Sequence, residues 1–201
     1  PLPDEEIEEL LREKRETKII AVLGDPNSGK SVFLHVLNDI LRKKGKVTLT
    51  QEGDLIAPTQ QWSIFAPEVR KELKKHMSIK ERLPWIIKSL NNLKKSGTVD
   101  YVLVDIGGGK PHLGERITRE NMALLRFIDG VVIVTRNDEN QLAKWIEELK
   151  TYLPDIKVYG ILESYLKGKS ILYNGFYGKI THLDRKLYAE AKIPKHTWNV
   201  A

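Results

Sequence analysis

Apolar residues along this chain cluster in short runs that are separated by longer amphipathic stretches. The runs at residues 18–23, 99–104, 130–135 and 157–161 are each long enough for one buried strand, and 47–50 is a weaker fifth. The strongest runs are continuously apolar rather than alternating, which is typical of strands that helices cover on both faces. The pattern therefore predicts the strands of a parallel sheet.

Between these runs, apolar positions recur at helical spacing. We predict helices at residues 29–44, 66–76, 78–95, 115–127 and 138–152. An alternation of strand and helix favours right-handed crossovers that place helices on both faces of one sheet. The predicted fold class is therefore α/β, with three layers in which helices flank a mostly parallel sheet.

Local signals add detail to the helix predicted at 78–95. Pro84 predicts a break or restart within it, because proline removes a backbone donor from the helix interior. Ser78 and Glu81 have capping-box spacing at its start. Trp85 and Trp145 fall among apolar helical positions in two different helices, so we predict that both lie in the core.

The remaining segments predict loops and domain limits. Residues 51–64 are polar and predict an irregular loop beside an active site, whereas Tyr173–Gly175 is a tight-turn signal that predicts a terminal hairpin or short strands. The charged N-terminal part, residues 1–17, is predicted to be a surface helix or linker. A chain of 201 residues suits one sizeable core, so residues 18–201 are predicted to form one domain.

Composition narrows the classes of function. Hydrophobic residues make up 41% of the chain, but no apolar run approaches the ~20 residues of a membrane helix, so we expect no membrane partner. The chain has no cysteine, which excludes disulfides and thiol catalysis and fits a cytoplasmic setting. A net charge of +6 favours phosphate-bearing partners without requiring nucleic acid.

One segment carries a specific chemical signal. Gly24–Ser31 fits the pattern G-x-x-x-x-G-K-[ST] and lies between a predicted strand and a predicted helix. Glycine lets successive N–H groups turn toward phosphate oxygens, Lys30 supplies charge to the β- and γ-phosphates, and Ser31 offers a hydroxyl to Mg²⁺. We therefore predict a P-loop that binds a nucleoside triphosphate and Mg²⁺ through Gly24, Asn27, Ser28, Gly29, Lys30, Ser31 and Val32.

A second acidic motif follows the apolar run 99–104. Asp105 ends that predicted strand and can hold the hydration shell of Mg²⁺, so we predict that it acts with Lys30 in catalysis. Gly108 allows a backbone N–H to approach the γ-phosphate, and 105–108 fits the pattern D-x-x-G. Asp54, just past the second strand, is the preferred second catalytic acid.

Other polar residues are weaker candidates. One of Lys110, His112, Arg116 and Arg119 is a candidate to stabilise charge on the γ-phosphate, although a solvated basic loop explains them as well. Residues 135–138 resemble the guanine-reading motif T-K-x-D with its lysine replaced. The sequence therefore leaves ATP and GTP both open, with ATP preferred.

The resemblance extends beyond the P-loop motif. Gly24–Leu34 resembles the form G-x-P-x-S-G-K-S-V-F-L of a P-loop (AAA-labelled) domain that accompanies a small ring-nuclease domain in type III CRISPR systems. Val102–Gly108 resembles the Walker B strand of that family, and Gly178–Arg185 is similar to its C-terminal part. The resemblance implies a nucleotide-binding accessory of antiviral defence, with an upstream nuclease domain, cyclic oligoadenylate or RNA as partner.

One position separates the chain from a neighbouring family. Septum-site and partition ATPases carry an extra lysine at the second position of the loop, and that lysine reaches across a dimer. Asp25 stands at this position here, so the sequence does not support that mechanism. The oligomeric state is not decided.

The sequence thus favours Mg²⁺-dependent binding and hydrolysis of ATP by a P-loop NTPase. Two alternatives stay open because no clear general base is visible. One is a kinase that transfers the γ-phosphate to a small molecule held by residues 51–64. The other is a nucleotide-gated binding module with little hydrolysis.

Overall fold

A sheet with two helical layers forms the molecule in a computed structural model that describes residue 3 and residues 14–55, 78–136 and 139–201. Its strands are β1 (Lys18–Leu23), β2 (Thr48–Gly53), β3 (Tyr101–Ile106), β4 (Gly130–Arg136), β5 (Lys157–Tyr165), β6 (Ile171–Leu172) and β7 (Tyr177–Thr181). They lie in the order β2-β3-β1-β4-β5-β7-β6. All neighbours are parallel except β6 and β7, which confirms the predicted mostly parallel sheet.

Helices cover both faces of this sheet. The described helices are α1 (Lys30–Lys43), α2 (Ile79–Ser96), α3 (Arg119–Leu125), α4 (Glu139–Tyr152), α5 (Arg185–Ala189) and α6 (Lys195–Trp198). On one face α2, α3 and α4 pack a large apolar cluster that includes Leu90, Leu124 and Trp145. On the other face α1 and the C-terminal helices bury Phe33 and Leu34. The predicted three-layer α/β fold is confirmed.

The second strand is longer than its sequence predicts. β2 continues through Gln51, Glu52 and Gly53, which the sequence places in an irregular loop. These residues pair in register with β3, and Glu52 lies opposite Asp105. Pairing with β3 therefore extends the strand despite the polar local composition. Asp54 follows directly after the end of β2.

The α2 helix corrects three predictions. It runs unbroken through Pro84. Pro84 and Lys80 both lie on the exposed side, so water can bond the Lys80 carbonyl that the proline leaves without a donor. Ser78 makes no side-chain cap hydrogen bond. Trp85 is 64% exposed rather than core, because Ile86 and Leu90 define the buried face of the helix.

The C-terminal part confirms one prediction and extends another. β6 and β7 form an antiparallel hairpin around Tyr173–Gly175, as the turn signal predicts. β5 reaches Tyr165, beyond the predicted end at 161, because β4 and β7 both pair with it. The short helices α5 and α6 have no counterpart in the sequence prediction.

The predicted 115–127 helix is shorter in the structure. A 3₁₀ turn at Pro111–Leu113 and an antiparallel bridge between Lys110 and Glu115 precede it. α3 begins only after Thr118, whose hydroxyl accepts a hydrogen bond from the Asn121 N–H. This side-chain cap fixes the start of the helix.

Other predictions fall on parts of the chain that the structure does not describe. The 66–76 helix lies outside the described residues, and so does most of the N-terminal segment 1–17. Its last residues are tied to the domain, since the Thr17 hydroxyl donates to the Val99 carbonyl at 2.7 Å. None of the described helices has the length and apolar composition that a membrane crossing requires.

Candidate functional site

The ends of three neighbouring strands meet at one cavity of about 490 Å³, which we call the front cavity. The loop 24–29 follows β1, Asp54 follows β2, and Asp105 lies near the end of β3. The carboxyl ends of parallel strands are where ligands bind in open α/β sheets. The predicted site residues Asn27, Gly29, Lys30, Ser31, Val32, Asp54, Asp105 and Gly108 all line the front cavity.

Glycine is required at two points of the loop. Gly24 has φ 149° and Gly29 has φ 90°, values that side-chain-bearing residues rarely adopt. A Cβ on Gly24 would lie 1.9 Å from the Val134 carbonyl oxygen, and one on Gly29 would lie 2.8 Å from the Leu183 Cβ. Gly24 and Ser28 do not line the front cavity. They belong to the part of the loop that faces away from it.

Three polar side chains converge on the front cavity. The Ser31 hydroxyl donates to the Asp105 Oδ2 at 2.6 Å, which joins the first turn of α1 to the end of β3. Lys30 is buried, and its Nζ donates to the Asp25 carbonyl oxygen at 3.3 Å. Its ammonium therefore lies inside the curl of the loop, where it can serve a phosphate as a compact point charge.

The electrostatics of Asp105 reflect its position. Burial raises the pKa of its carboxyl, and the charge of Asp54 raises it further. The Lys30 ammonium, the hydrogen bond from Ser31 and the charge of Arg185 act in the opposite direction. A nearby cation stabilises the charged form of such a buried carboxylate and so lowers its pKa.

The segment after β3 packs directly against the loop. A Cβ on Gly108 would lie 2.6 Å from the Pro26 Cδ, so only glycine allows this approach. A Cβ on Gly107 would lie 3.1 Å from an Asp54 carboxylate oxygen. The Asn121 side-chain amide donates to the Gly107 carbonyl at 3.0 Å and anchors the segment to α3.

The donors of the front cavity fit Mg²⁺ as a shared ligand. A serine hydroxyl and carboxylates are hard oxygen ligands, and Mg²⁺ usually takes only one or two protein carboxylates together with phosphate oxygens and waters. No group of three or more histidine or acidic side chains suited to a metal occurs among the described residues. The residues present therefore fit a metal held jointly with a phosphate ligand.

Sequence reasoning missed a buried contact behind the loop. The Arg116 Nη2 donates to the Asp25 Oδ2 at 3.1 Å, and the Arg116 Nε lies 3.0 Å from Oδ1. The Trp145 Nε1 donates to the same carboxylate at 2.8 Å, and Glu148 accepts from the Arg116 backbone N–H. Arg116 therefore pairs with Asp25 instead of lining the front cavity.

The other basic and base-reading candidates are not in the front cavity either. Lys110, His112 and Arg119 are exposed and lie outside its lining. Thr135 is fully buried, and the Arg136 Nε donates to the Asn27 carbonyl at 3.4 Å. Residues 137–138 lie outside the described part of the chain.

A second group of lining residues comes from the far end of the sheet. Leu166 follows β5, and Leu183, Asp184 and Arg185 follow β7. The sequence marks 178–185 only as one of the patches that carry the family resemblance, and nothing in the pattern assigns these side chains to the cavity. The parallel pairing of β5 and β7 brings them there.

Solved structures with similar folds are P-loop proteins. A nucleotide-binding protein from Archaeoglobus fulgidus in complex with ADP is 18% identical, with a TM-score of 0.55 over 100% of this chain and 95% of that chain. A plasmid partition protein from Borrelia burgdorferi bound to AMPPNP is 19% identical, with a TM-score of 0.55 over 88% and 89%. MinD from Pyrococcus horikoshii, complexed with Mg-ADP, is 16% identical, with a TM-score of 0.52 over 74% and 70%.

The sheet order, the loop and these neighbours together define the class. The chain has the P-loop NTPase fold, with a mostly parallel sheet flanked by helices. No protein-family model matches the sequence, and no curated protein matches it either.

Proposed function

We propose that the protein binds a nucleoside triphosphate, preferably ATP, with Mg²⁺ in the front cavity and hydrolyses it. One observation carries the proposal. Lys30 and Ser31 from the first turn of α1 and Asp105 from β3 converge on one cavity of about 490 Å³ beside the glycine loop. That volume lies within the range of small-ligand sites.

The loop and Lys30 hold the phosphates in this proposal. Backbone N–H groups at the start of α1 point toward an anion, and the helix dipole adds positive potential there. Lys30 neutralises charge on the β- and γ-phosphates. Because its ammonium is already buried inside the loop, little side-chain freedom is lost when phosphate binds.

Ser31, Asp105 and Asp54 form the proposed metal-binding side of the site. Bound Mg²⁺ supplies charge neutralisation on the transferring phosphoryl group. Ser31 and Asp105 would hold the ion directly or through water, since they already contact each other at 2.6 Å. Asp54 lies against Gly107 and adds a second carboxylate beside the same segment.

The far end of the front cavity suits the nucleoside. Leu166 and Leu183 offer apolar surface, and Arg185 and Asp184 offer polar groups at the same end. The three structural neighbours described above hold ADP or AMPPNP, so an adenine nucleotide is the preferred ligand. The association with type III CRISPR defence stays a prediction from sequence resemblance.

A nucleotide-gated module with little hydrolysis is the second candidate. Among the described residues that line the front cavity, the acids are Asp54, Asp105 and Asp184, and there is no histidine. A histidine or glutamate that activates water is therefore missing from this part of the lining. Binding of ATP without release of phosphate would favour this candidate over the enzyme.

Calorimetric titration of Mg·ATP into wild type and Lys30→Ala tests the proposal. A charge-assisted contact to phosphate is worth ~1.5–3 kcal/mol, so the variant should bind about tenfold to a hundredfold more weakly. Lys44→Ala, at the exposed end of α1, is the matched control and should bind like wild type. Equal affinity of Lys30→Ala and wild type would refute the role of Lys30, and no heat in wild type would refute nucleotide binding itself.

A further inference from the structure

A second cavity lies on the other side of the loop. It has a volume of about 440 Å³, and we call it the rear cavity. Pro26 and Asn27 line both cavities, whereas Lys30, Ser31 and Asp105 line only the front one. The rear cavity is therefore separate from the proposed nucleotide site and shares a single wall with it.

The charge of the rear cavity is mainly positive. Its described lining carries Arg116, Arg136, Lys144 and one carboxylate, Asp25, which gives a formal charge of +2. Asp25 is already engaged by Arg116 and by the Trp145 indole. The Arg136 Nε donates to the Asn27 carbonyl at 3.4 Å, which holds this guanidinium at the cavity wall.

Apart from the Arg116 Nε, which lies 3.0 Å from the Asp25 Oδ1, two buried polar atoms of the lining residues have no hydrogen-bond partner within the described part of the chain. Arg116 is only 4% exposed, and its Nη1 has no acceptor although Nη2 is paired with Asp25. The Gln141 Oε1, at the start of α4, is likewise buried without a donor. An unmet buried donor or acceptor costs ~1–3 kcal/mol, so a solvated basic surface does not account for these two groups.

We propose that the rear cavity binds a small phosphate-bearing ligand that is distinct from the nucleotide in the front cavity. A phosphate monoester carries a charge close to −2 at neutral pH, which balances the formal charge of the lining. One of its oxygens would accept from the Arg116 Nη1, and Arg136 and Lys144 would contact the others. A hydroxyl or amine of the same ligand would donate to the Gln141 Oε1.

Site-resolved NMR with inorganic phosphate as the probe tests this at constant ionic strength. The Trp145 indole N–H and the Gln141 side-chain amide report the rear cavity, and the Gly29 amide reports the front cavity. Trp145→Phe assigns the indole peak. The rear reporters should shift and saturate with phosphate, with a midpoint different from that of Gly29.

A double variant at the surface separates the two sites and leaves the Arg116 and Gln141 side chains unchanged. Arg136→Gln with Lys144→Gln should weaken the rear response roughly tenfold or more and leave the Gly29 response unchanged. The matched control is Arg126→Gln with Lys150→Gln, which removes two exposed charges away from both cavities. Rear reporters that do not move would overturn the proposal. So would equal weakening in the two double variants, or a rear midpoint that always follows Gly29.

Discussion

At the scale of single residues, opposing influences act on the pKa of the Asp105 carboxyl. It is buried, and burial raises its pKa, yet it accepts a short hydrogen bond from Ser31 and lies in the field of Lys30. A cation beside it would offset the cost of keeping its charge away from water. Its proposed role as a metal-side carboxylate follows from this balance.

Asp105→Asn should therefore reduce ATP hydrolysis more than ATP binding. The amide keeps the shape but removes one negative charge from the metal shell, while the loop still holds the phosphates. We expect turnover to fall by about tenfold or more, which is ~1.4 kcal/mol in the barrier. Phosphate release and nucleotide affinity are measured over a Mg²⁺ titration, with exposed Asp155→Asn as control. Equal turnover at every Mg²⁺ concentration would make Asp105 a structural strand-end residue.

His35 couples stability to pH. Burial lowers the pKa of this histidine below its ordinary value, and Asp39 only partly opposes the shift. Its Nε2 has no hydrogen-bond partner among the residues that the structure describes. Between the folded and the unfolded pKa, His35 is therefore protonated in the unfolded chain and neutral in the folded chain. Stability that is present above about pH 6.5 is lost as the pH falls toward the folded pKa.

His35→Gln should flatten this dependence. The free energy of unfolding, measured by urea denaturation between pH 7.5 and 5, should fall less steeply in the variant than in wild type. The slope with pH is compared rather than the absolute stability, because the substitution also changes packing against Tyr188. Exposed His112→Gln serves as control, and identical slopes in wild type and His35→Gln would contradict the prediction.

At the scale of elements, a buried ion pair joins the loop to the segment after β3. Asp25 belongs to the loop, Arg116 precedes α3, and Trp145 reaches the same carboxylate from α4. These contacts fix the loop from behind, on the side away from the front cavity. The position that holds a lysine in septum-site and partition ATPases thus carries a structural acid here.

Removing one partner of this pair should be costly. Asp25→Leu leaves Arg116 as an uncompensated buried charge, so we expect a loss of about 3–5 kcal/mol in the free energy of unfolding. Arg116→Met added to Asp25→Leu should restore part of that loss, since it removes the uncompensated charge. The Trp145 indole N–H loses its acceptor in both variants, which limits the recovery. Urea denaturation of the two variants measures both effects. A double variant as unstable as the single one would contradict the ion-pair explanation.

At the scale of the whole molecule, nucleotide binding should stabilise the fold. The proposed site joins β1, β2, β3 and the C-terminal strands, so a ligand that fills it binds only the folded chain. At a concentration of 100 Kd this is worth ~2.7 kcal/mol, or a rise in Tm of roughly 5–10 °C for a chain of this size. Thermal unfolding with ADP and Mg²⁺ tests it. In Lys30→Ala the rise should fall to about half or less, because binding tenfold to a hundredfold weaker leaves only ~0.4–1.4 kcal/mol at the same ligand concentration. An unchanged Tm in wild type would contradict the site.

The sequence by itself determined the core elements and the chemical motif. Continuous apolar runs predict β1, β3 and β4 because a strand covered on both faces has no polar side. The pattern at Gly24–Ser31 predicts the loop because few residue types fit its backbone, as the close contacts at Gly24 and Gly29 illustrate. Asp105 could also be predicted from local sequence, because it is the acidic residue that follows an apolar run.

Only the tertiary structure decided what depends on partners distant in sequence. Strand pairing extended β2 to Gly53 and so placed Asp54 beside the site. The solvent side of α2 let the helix continue through Pro84 and exposed Trp85. The pairing of Asp25 with Arg116 spans 91 positions, and no local pattern encodes such a contact. Hydrophobic spacing indicates which face of an element is buried. The residues that pack against this face depend on how the elements are arranged in the fold.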